Sequence, residues 1–170
     1  DHYASFASSQ SLDLFVVGTE LKTMSSETER WRAVIQTVRD RFMGPVTYAA
    51  NWDEFDQVQF WDDLDAIGVD AYFPLSEAGG PAPTLRSLTT AWQKIGDQLK
   101  AKSEQWQRPV ILTEFGFPSQ VGATATPYEV TDQPADQNIQ ALAYRATFDG
   151  LSGSDWLKGI SWWSWRADPS

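Results

Sequence analysis

The chain has 170 residues, enough for one domain with a sizeable core, since chains of about 150 residues bury roughly 70% of their unfolded surface. Its net charge of −10, from 23 acidic against 13 Lys and Arg side chains, argues against nucleic acid or anionic membrane as a main partner. There is no Cys, and the single His, His2, sits at a terminus that frays, so disulfides and thiolate sites are excluded and a Ser-His-Asp triad or His-based zinc site lacks a rigid member.

Tyr3, Phe6 and Ala7 have the spacing of the end of an amphipathic helix packed on the strand that follows. With no initiating Met, this leads to the expectation of a processed chain or a piece of a longer one. Residues 12–21 read as a strand whose apolar run, Leu14-Phe15-Val16-Val17, leads through Gly18-Thr19 to Glu20. Ser26 and Glu29 have the form of a capping box before Trp31, Val34, Ile35, Val38 and Phe42 at helical spacing. Gly44-Pro45 stops that helix, residues 46–50 form a second strand, and Asn51-Trp52-Asp53-Glu54 is a polar, aromatic rim after it.

A short helix is predicted over residues 57–66 and a third strand over 67–73. Gly79-Gly80-Pro81-Ala82-Pro83 then leads into a long helix striped by Leu85, Leu88, Trp92, Ile95, Leu99 and Trp106. Arg108-Pro109 opens a fourth strand, Val110-Ile111-Leu112-Thr113, that ends at Glu114; a loop long enough to be functional runs to about residue 132. A helix over 133–151, with Ile139, Leu142, Ala146 and Leu151 inward, and a fifth strand over 159–165 complete the pattern.

Five strands alternating with helices predict an α/β fold with a parallel sheet, in one domain over residues 1–170. No phosphate loop or Gly-x-Gly-x-x-Gly fingerprint follows a strand, so a barrel segment is the better reading than a nucleotide-binding sheet. A buried apolar run ending in one ionisable group is how a barrel holds a catalytic side chain at its rim, and Glu20 and Glu114 both fit that pattern.

Four strings occur in register with these strand ends: Val17-Gly18-Thr19-Glu20-Leu21, Thr47-Tyr48-Ala49-Ala50-Asn51-Trp52, Ile67-Gly68-Val69-Asp70-Ala71-Tyr72-Phe73-Pro74 and Leu112-Thr113-Glu114-Phe115-Gly116. Together they resemble the retaining glycoside hydrolases of clan A, most closely family 113, the β-1,4-mannanases. The resemblance implies a partial (β/α)8 TIM barrel in which Glu20 ends the fourth strand and Glu114 the seventh. The chain then supplies strands four to eight. Thr19 stands where many clan A enzymes carry Asn.

The implied activity is hydrolysis of a β-1,4-linked, mannan-type polysaccharide with two carboxyl groups about 5–5.5 Å apart. Glu114 is the expected nucleophile, Glu20 the expected acid/base, and Tyr72 a donor that orients the nucleophile. Sugars present apolar C–H faces ringed by hydroxyls, and Asn51, Trp52, Trp163 and Trp165 suit their binding. Ser161, Trp163 and Trp165 share one face of the last strand, and Trp162 and Ser164 the other. Trp31, Trp92 and Trp106 lie on helical stripes and are expected in the core, as are Trp61 and Trp156 by packing.

Taken singly, a strand-end glutamate is more often a solvated terminus than a catalyst; it is the pair in this context that reverses the judgement. Asp53, Glu54 and Glu77 are expected to form a solvated rim. Two other functions stay open: a non-catalytic half-barrel that binds carbohydrate or self-associates, and a barrel using Lys22 as a Schiff base. No metal or cofactor is implied. Two open sheet edges lead to the expectation of a homo-oligomer. No apolar run long enough to span a membrane and no signal-like segment is present, so a soluble chain is expected, with secretion and compartment left open.

Overall fold

A computed structural model describes residues 1–164. Its elements in chain order are α1 (His2–Ser9), β1 (Phe15–Thr19), α2 (Thr28–Arg39), β2 (Val46–Asn51), β3 (Ile67–Asp70), α3 (Leu85–Trp106), β4 (Val110–Phe115), α4 (Gln137–Leu151) and β5 (Leu157–Trp162). The strands form one sheet in the order β1-β2-β3-β4-β5, and each neighbouring pair is parallel. The α/β prediction therefore holds.

Parallel strands are covered on both faces and read as continuous apolar runs rather than alternating ones. β3, with the sequence Ile-Gly-Val-Asp, is buried at all four positions, and β2 at its first five. On the helix side, Leu88, Trp92 and Leu99 of α3 join Leu112 and Phe115 of β4 in the core. Against β2, Trp31 of α2 stacks on Phe60, with ring centroids 5.5 Å apart and an interplanar angle of 22°, and Tyr48 meets both rings. A Cβ on Gly150 would lie 2.6 Å from the Cβ of Trp92, so glycine is what lets α4 approach α3 this closely.

The α3 stripe is as predicted, with Leu88, Trp92, Ile95 and Leu99 buried and Leu85 and Trp106 half-buried at its ends. Its start carries a reciprocal cap between Thr84 and Ser87. The expected box at Ser26 and Glu29 is not formed. α2 begins at Thr28 with Glu27 as its N-cap and no side-chain bond. The Trp31 indole instead donates to the Met24 carbonyl at 2.9 Å and ties the preceding turn to the helix, which moves the start inward.

The helix expected over 57–66 reduces to one 3-10 turn, Trp61–Asp63. Phe60 and Trp61 are adjacent and both fully buried. Carbonyls of the segment are taken by arginines: Arg108 donates to those of Leu64 and Asp62, and Arg39 to that of Asp63. At the N-terminus Ala4 and Ala7 face the core, whereas Tyr3 and Phe6 are exposed, which corrects the expected apolar face of α1. α4 starts at Gln137 rather than 133, because the Asp136 side chain accepts from the amides of Asn138 and Ile139, both at 3.0 Å.

Three strand ends also move. β1 starts at Phe15, leaving Leu12 exposed; β3 ends at Asp70, where Tyr72 N–H turns back to the Asp70 carbonyl at 3.0 Å; β5 ends at Trp162. Gly68, inside β3, has no room for a side chain, since a Cβ there would lie 2.3 Å from the Tyr48 carbonyl oxygen and 3.0 Å from the Thr113 methyl. Gly68→Ala is therefore expected to destabilise the fold by about 1–3 kcal/mol through forced separation of β2 and β3. Urea unfolding checks this, and an unchanged midpoint would contradict the stated packing.

Candidate active site

Parallel pairing places the C-terminal ends of all five strands on one rim, where barrel and open-sheet folds carry their chemistry. Glu20 directly follows β1, Asn51 ends β2, Asp70 ends β3, and Glu114 lies near the end of β4 in register with Asp70. Two depressions beside Trp156, one between α3 and the end of α4 and one between the end of α3 and the Arg108-Pro109 segment that precedes β4, touch none of these residues.

Glu20 adopts a left-handed backbone, with φ of 51°. For a residue other than glycine this costs about 1–2 kcal/mol, so it persists only where surrounding contacts impose it. Its own N–H bonds the Ala49 carbonyl at 2.9 Å, and the Leu21 N–H bonds the Tyr48 hydroxyl at 2.9 Å. The side chain is accessible, yet partial enclosure at the strand end pushes its carboxyl above the ordinary glutamate range. The charges of Glu114, Glu54 and Asp53 push it in the same direction.

Glu114 is half-buried and accepts a hydrogen bond from the Tyr72 hydroxyl at 2.9 Å. The backbone sets this contact up: Ala71 N–H bonds the Glu114 carbonyl at 2.7 Å, and the turn at Asp70 carries Tyr72 over β4. Burial, and then the bond to Glu114, push the Tyr72 phenol upward, so it remains a neutral donor. The two strand-end glutamates thus have different surroundings on one rim. Glu20 has acidic neighbours, and Glu114 has a hydroxyl donor.

Asp70 was not singled out in the sequence, although it ends an apolar run just as Glu20 and Glu114 do. It is fully buried; its Oδ1 accepts from the Thr113 hydroxyl at 2.6 Å, and its Oδ2 has no hydrogen-bond partner among the described residues. Burial pushes its carboxyl up to about 7, assisted by the charges of Glu114, Glu20 and Glu54 and opposed by the Thr113 bond.

Asn51 and Trp52 are half-buried at the same rim. Trp52 lies nearly parallel to Tyr128, with centroids 6.1 Å apart and an angle of 13°, and edge-on to Phe73. Tyr128 comes from the long loop after β4 and was missed because nothing local marks it. Trp163 follows β5 and is largely exposed, whereas Trp162 packs against Phe115, Tyr144 and Phe148. Trp165 lies outside the described residues.

Glu54 overturns its expected place in a solvated rim. It is fully buried, accepting from the Tyr48 hydroxyl at 2.7 Å and from the Asn51 N–H at 3.3 Å. Glu77 is exposed as expected, and Asp53 is exposed but paired with Lys22. That pairing engages the Lys22 ammonium and gives a Schiff-base role no geometric support. Among the described residues, no group of three or more His, Cys, Asp or Glu is arranged to hold a metal ion, and no helix is long and apolar enough to cross a membrane.

The Asp70 shift makes stability depend on pH. Its folded value of about 7 lies above the ordinary value of about 3.9, so the folded state keeps a proton that the unfolded chain gives up. The contribution is full below about pH 4 and is lost as pH rises through about 7. Asp70→Asn, which cannot ionise, is expected to leave stability nearly unchanged at pH 4, raise it at pH 8, and flatten the slope between. Urea unfolding at the two pH values checks this; equal effects at both would contradict it.

The model of Glycoside Hydrolase Family 113 matches residues 1–169. A solved complex of a GH113 β-1,4-mannanase superposes with a TM-score of 0.84 at 28% identity, covering 96% of this chain and 49% of that one. The GH113 β-mannanase from Alicyclobacillus acidocaldarius, solved in complex with ManMIm, gives 0.84 at 30% identity, covering 96% of this chain and 48% of that one. The β-glucuronidase of Faecalibacterium prausnitzii, at 15% identity and a TM-score of 0.65, shares the fold alone. No curated protein matches the chain. The chain spans about half the length of the mannanases it matches, and over that span the resemblance read from its four strand-end strings holds: the chain belongs to glycoside hydrolase family 113.

Proposed function

We propose that the rim is the catalytic centre of a retaining glycoside hydrolase acting on β-1,4-linked, mannan-type polysaccharide. The observation that carries this reading is the contrast between its two glutamates. Glu114 accepts a hydrogen bond from Tyr72 at 2.9 Å, while Glu20 is pushed upward by enclosure and acidic neighbours, which favours its protonated form. Support for the substrate class comes from the family and from the mannanases of similar structure.

In the first step Glu114 attacks the anomeric carbon while Glu20 gives its proton to the glycosidic oxygen. The C–O bond to the leaving sugar breaks, and a glycosyl ester forms on Glu114. Glu20, now a carboxylate, takes a proton from water as that water attacks the same carbon. The ester bond breaks, Glu114 regains its charge, and Glu20 is again protonated. Tyr72 stabilises the Glu114 carboxylate before attack and after release. Asn51, Trp52 and Trp163 supply a polar contact and aromatic faces for sugar rings, with Trp165 assigned to the same role from sequence.

A second reading, carbohydrate binding without turnover, draws on the aromatic lining alone, with Trp52 nearly parallel to Tyr128 at 6.1 Å and Trp163 largely exposed after β5. Kinetics on manno-oligosaccharides separates the two. Glu114→Ala is expected to abolish hydrolysis. Glu20→Ala should lower kcat by about 10²–10⁴-fold; on 2,4-dinitrophenyl β-mannoside, whose first step needs no acid, azide should restore turnover of this variant as a β-mannosyl azide. Tyr72→Phe, which removes a hydrogen bond to a charged group, should cost about 10–100-fold in kcat. Activity unaffected by either glutamate substitution would overturn the proposal, and sugar binding with no turnover in the unaltered chain would favour the second reading.

A further inference from the structure

The buried Glu54 carboxylate takes no part in the bond changes proposed above, yet it is joined to Leu21, the residue after Glu20, by a short chain of hydrogen bonds. The Tyr48 hydroxyl donates to Glu54 Oε1 at 2.7 Å and accepts from the Leu21 N–H at 2.9 Å. A phenol has one proton, so giving it to a carboxylate directs the oxygen lone pairs to the amide and strengthens that second bond. Burial, followed by the bond to Glu54, pushes the Tyr48 phenol upward and keeps it a donor. The other carboxylate oxygen accepts from the Asn51 N–H at 3.3 Å.

Leu21 is the residue after Glu20, whose left-handed backbone is held by its own bond to Ala49 and by this anchored amide. We propose that Glu54 and Tyr48 are positioning residues for Glu20: the carboxylate, phenol and Leu21 amide lock the backbone turn that aims the Glu20 carboxyl into the rim, and Glu54 ties the Asn51 amide from the same buried point. This rests on the reading of Glu20 as acid/base. Packing does not account for the hydroxyl. The Tyr48 ring is already enclosed by Trp31, Phe60 and Trp61, so the ring fills the core and the hydroxyl is free to organise the turn.

Tyr48→Phe keeps the ring and removes only that hydroxyl. In the 170-residue chain, amide hydrogen exchange at Leu21 is expected to quicken by about tenfold or more while the β1 amides keep their protection. On a manno-oligosaccharide, kcat is expected to fall by about tenfold or more with little change in KM. On 2,4-dinitrophenyl β-mannoside, whose leaving group needs no proton, the first step should stay within about twofold. Glu54→Gln, which keeps volume and an acceptor but removes the charge, should move the same readouts less.

Unchanged Leu21 exchange in both variants would overturn the positioning role, as would an equal loss on both substrates. Loss of the whole fold in both variants, read by near-ultraviolet circular dichroism, would also overturn it, because the network would then be a general brace. Absence of turnover in the unaltered chain on either substrate would instead count against the enzymatic reading, and the exchange measurement would still decide the positioning role.

Discussion

Parallel pairing is the constraint on which the rest of this structure depends. Because β1 to β5 all run the same way, each must end on the same rim, and the ionisable residues at those ends are brought together whatever their mutual repulsion. Burial and the charges of Glu114 and Glu54 push the carboxyls of both Glu20 and Asp70 upward. Such a cluster opposes folding. What offsets it is apolar burial beneath the rim, where Trp61, Trp92, Tyr48, Phe60 and Phe115 are all fully enclosed.

The cluster is also resolved locally, one carboxylate at a time. Glu114 has Tyr72, Asp70 has Thr113, Glu54 has Tyr48 and the Asn51 amide, and Lys22 faces Asp53. Glu20 has no such hydrogen-bond partner among the contacts that describe this rim. In the proposed reaction this difference divides the labour: enclosure and acidic neighbours push the Glu20 carboxyl towards its protonated form, and Glu114 has a neutral hydroxyl donor. The roles follow from the neighbours rather than from the side chains, which are chemically identical.

What was legible in the sequence was what local pattern determines. Apolar runs marked the strands and the rim positions of Glu20 and Glu114; the 3.6-residue stripe of α3 held along its length; and Tyr72, expected at the end of the third strand, lies two residues past it, where the turn at Asp70 brings it to Glu114. Features decided by distant partners were not legible. Glu54 sits in a polar string and is buried only because β2 brings the Tyr48 hydroxyl under it. The segment after Gln57 has helix-like spacing but spends its carbonyls on Arg39 and Arg108, and the start of α2 was moved by the Trp31 indole. Tyr128 reaches Trp52 across a long loop whose course no local signal sets. Asp70 is the one omission that the sequence pattern itself could have supplied.

The central claim, that Glu114 forms a covalent bond to sugar while Glu20 serves as its acid/base, is tested most directly by trapping the intermediate. A 2-deoxy-2-fluoro-β-mannosyl fluoride carries its own leaving group and slows release of the ester, so mass spectrometry of the treated protein reads the adduct. The account predicts one added fluoromannosyl group, mapping to the peptide that contains Glu114 and absent from Glu114→Gln. An adduct on another residue, or none in a chain that turns over manno-oligosaccharide, would contradict it.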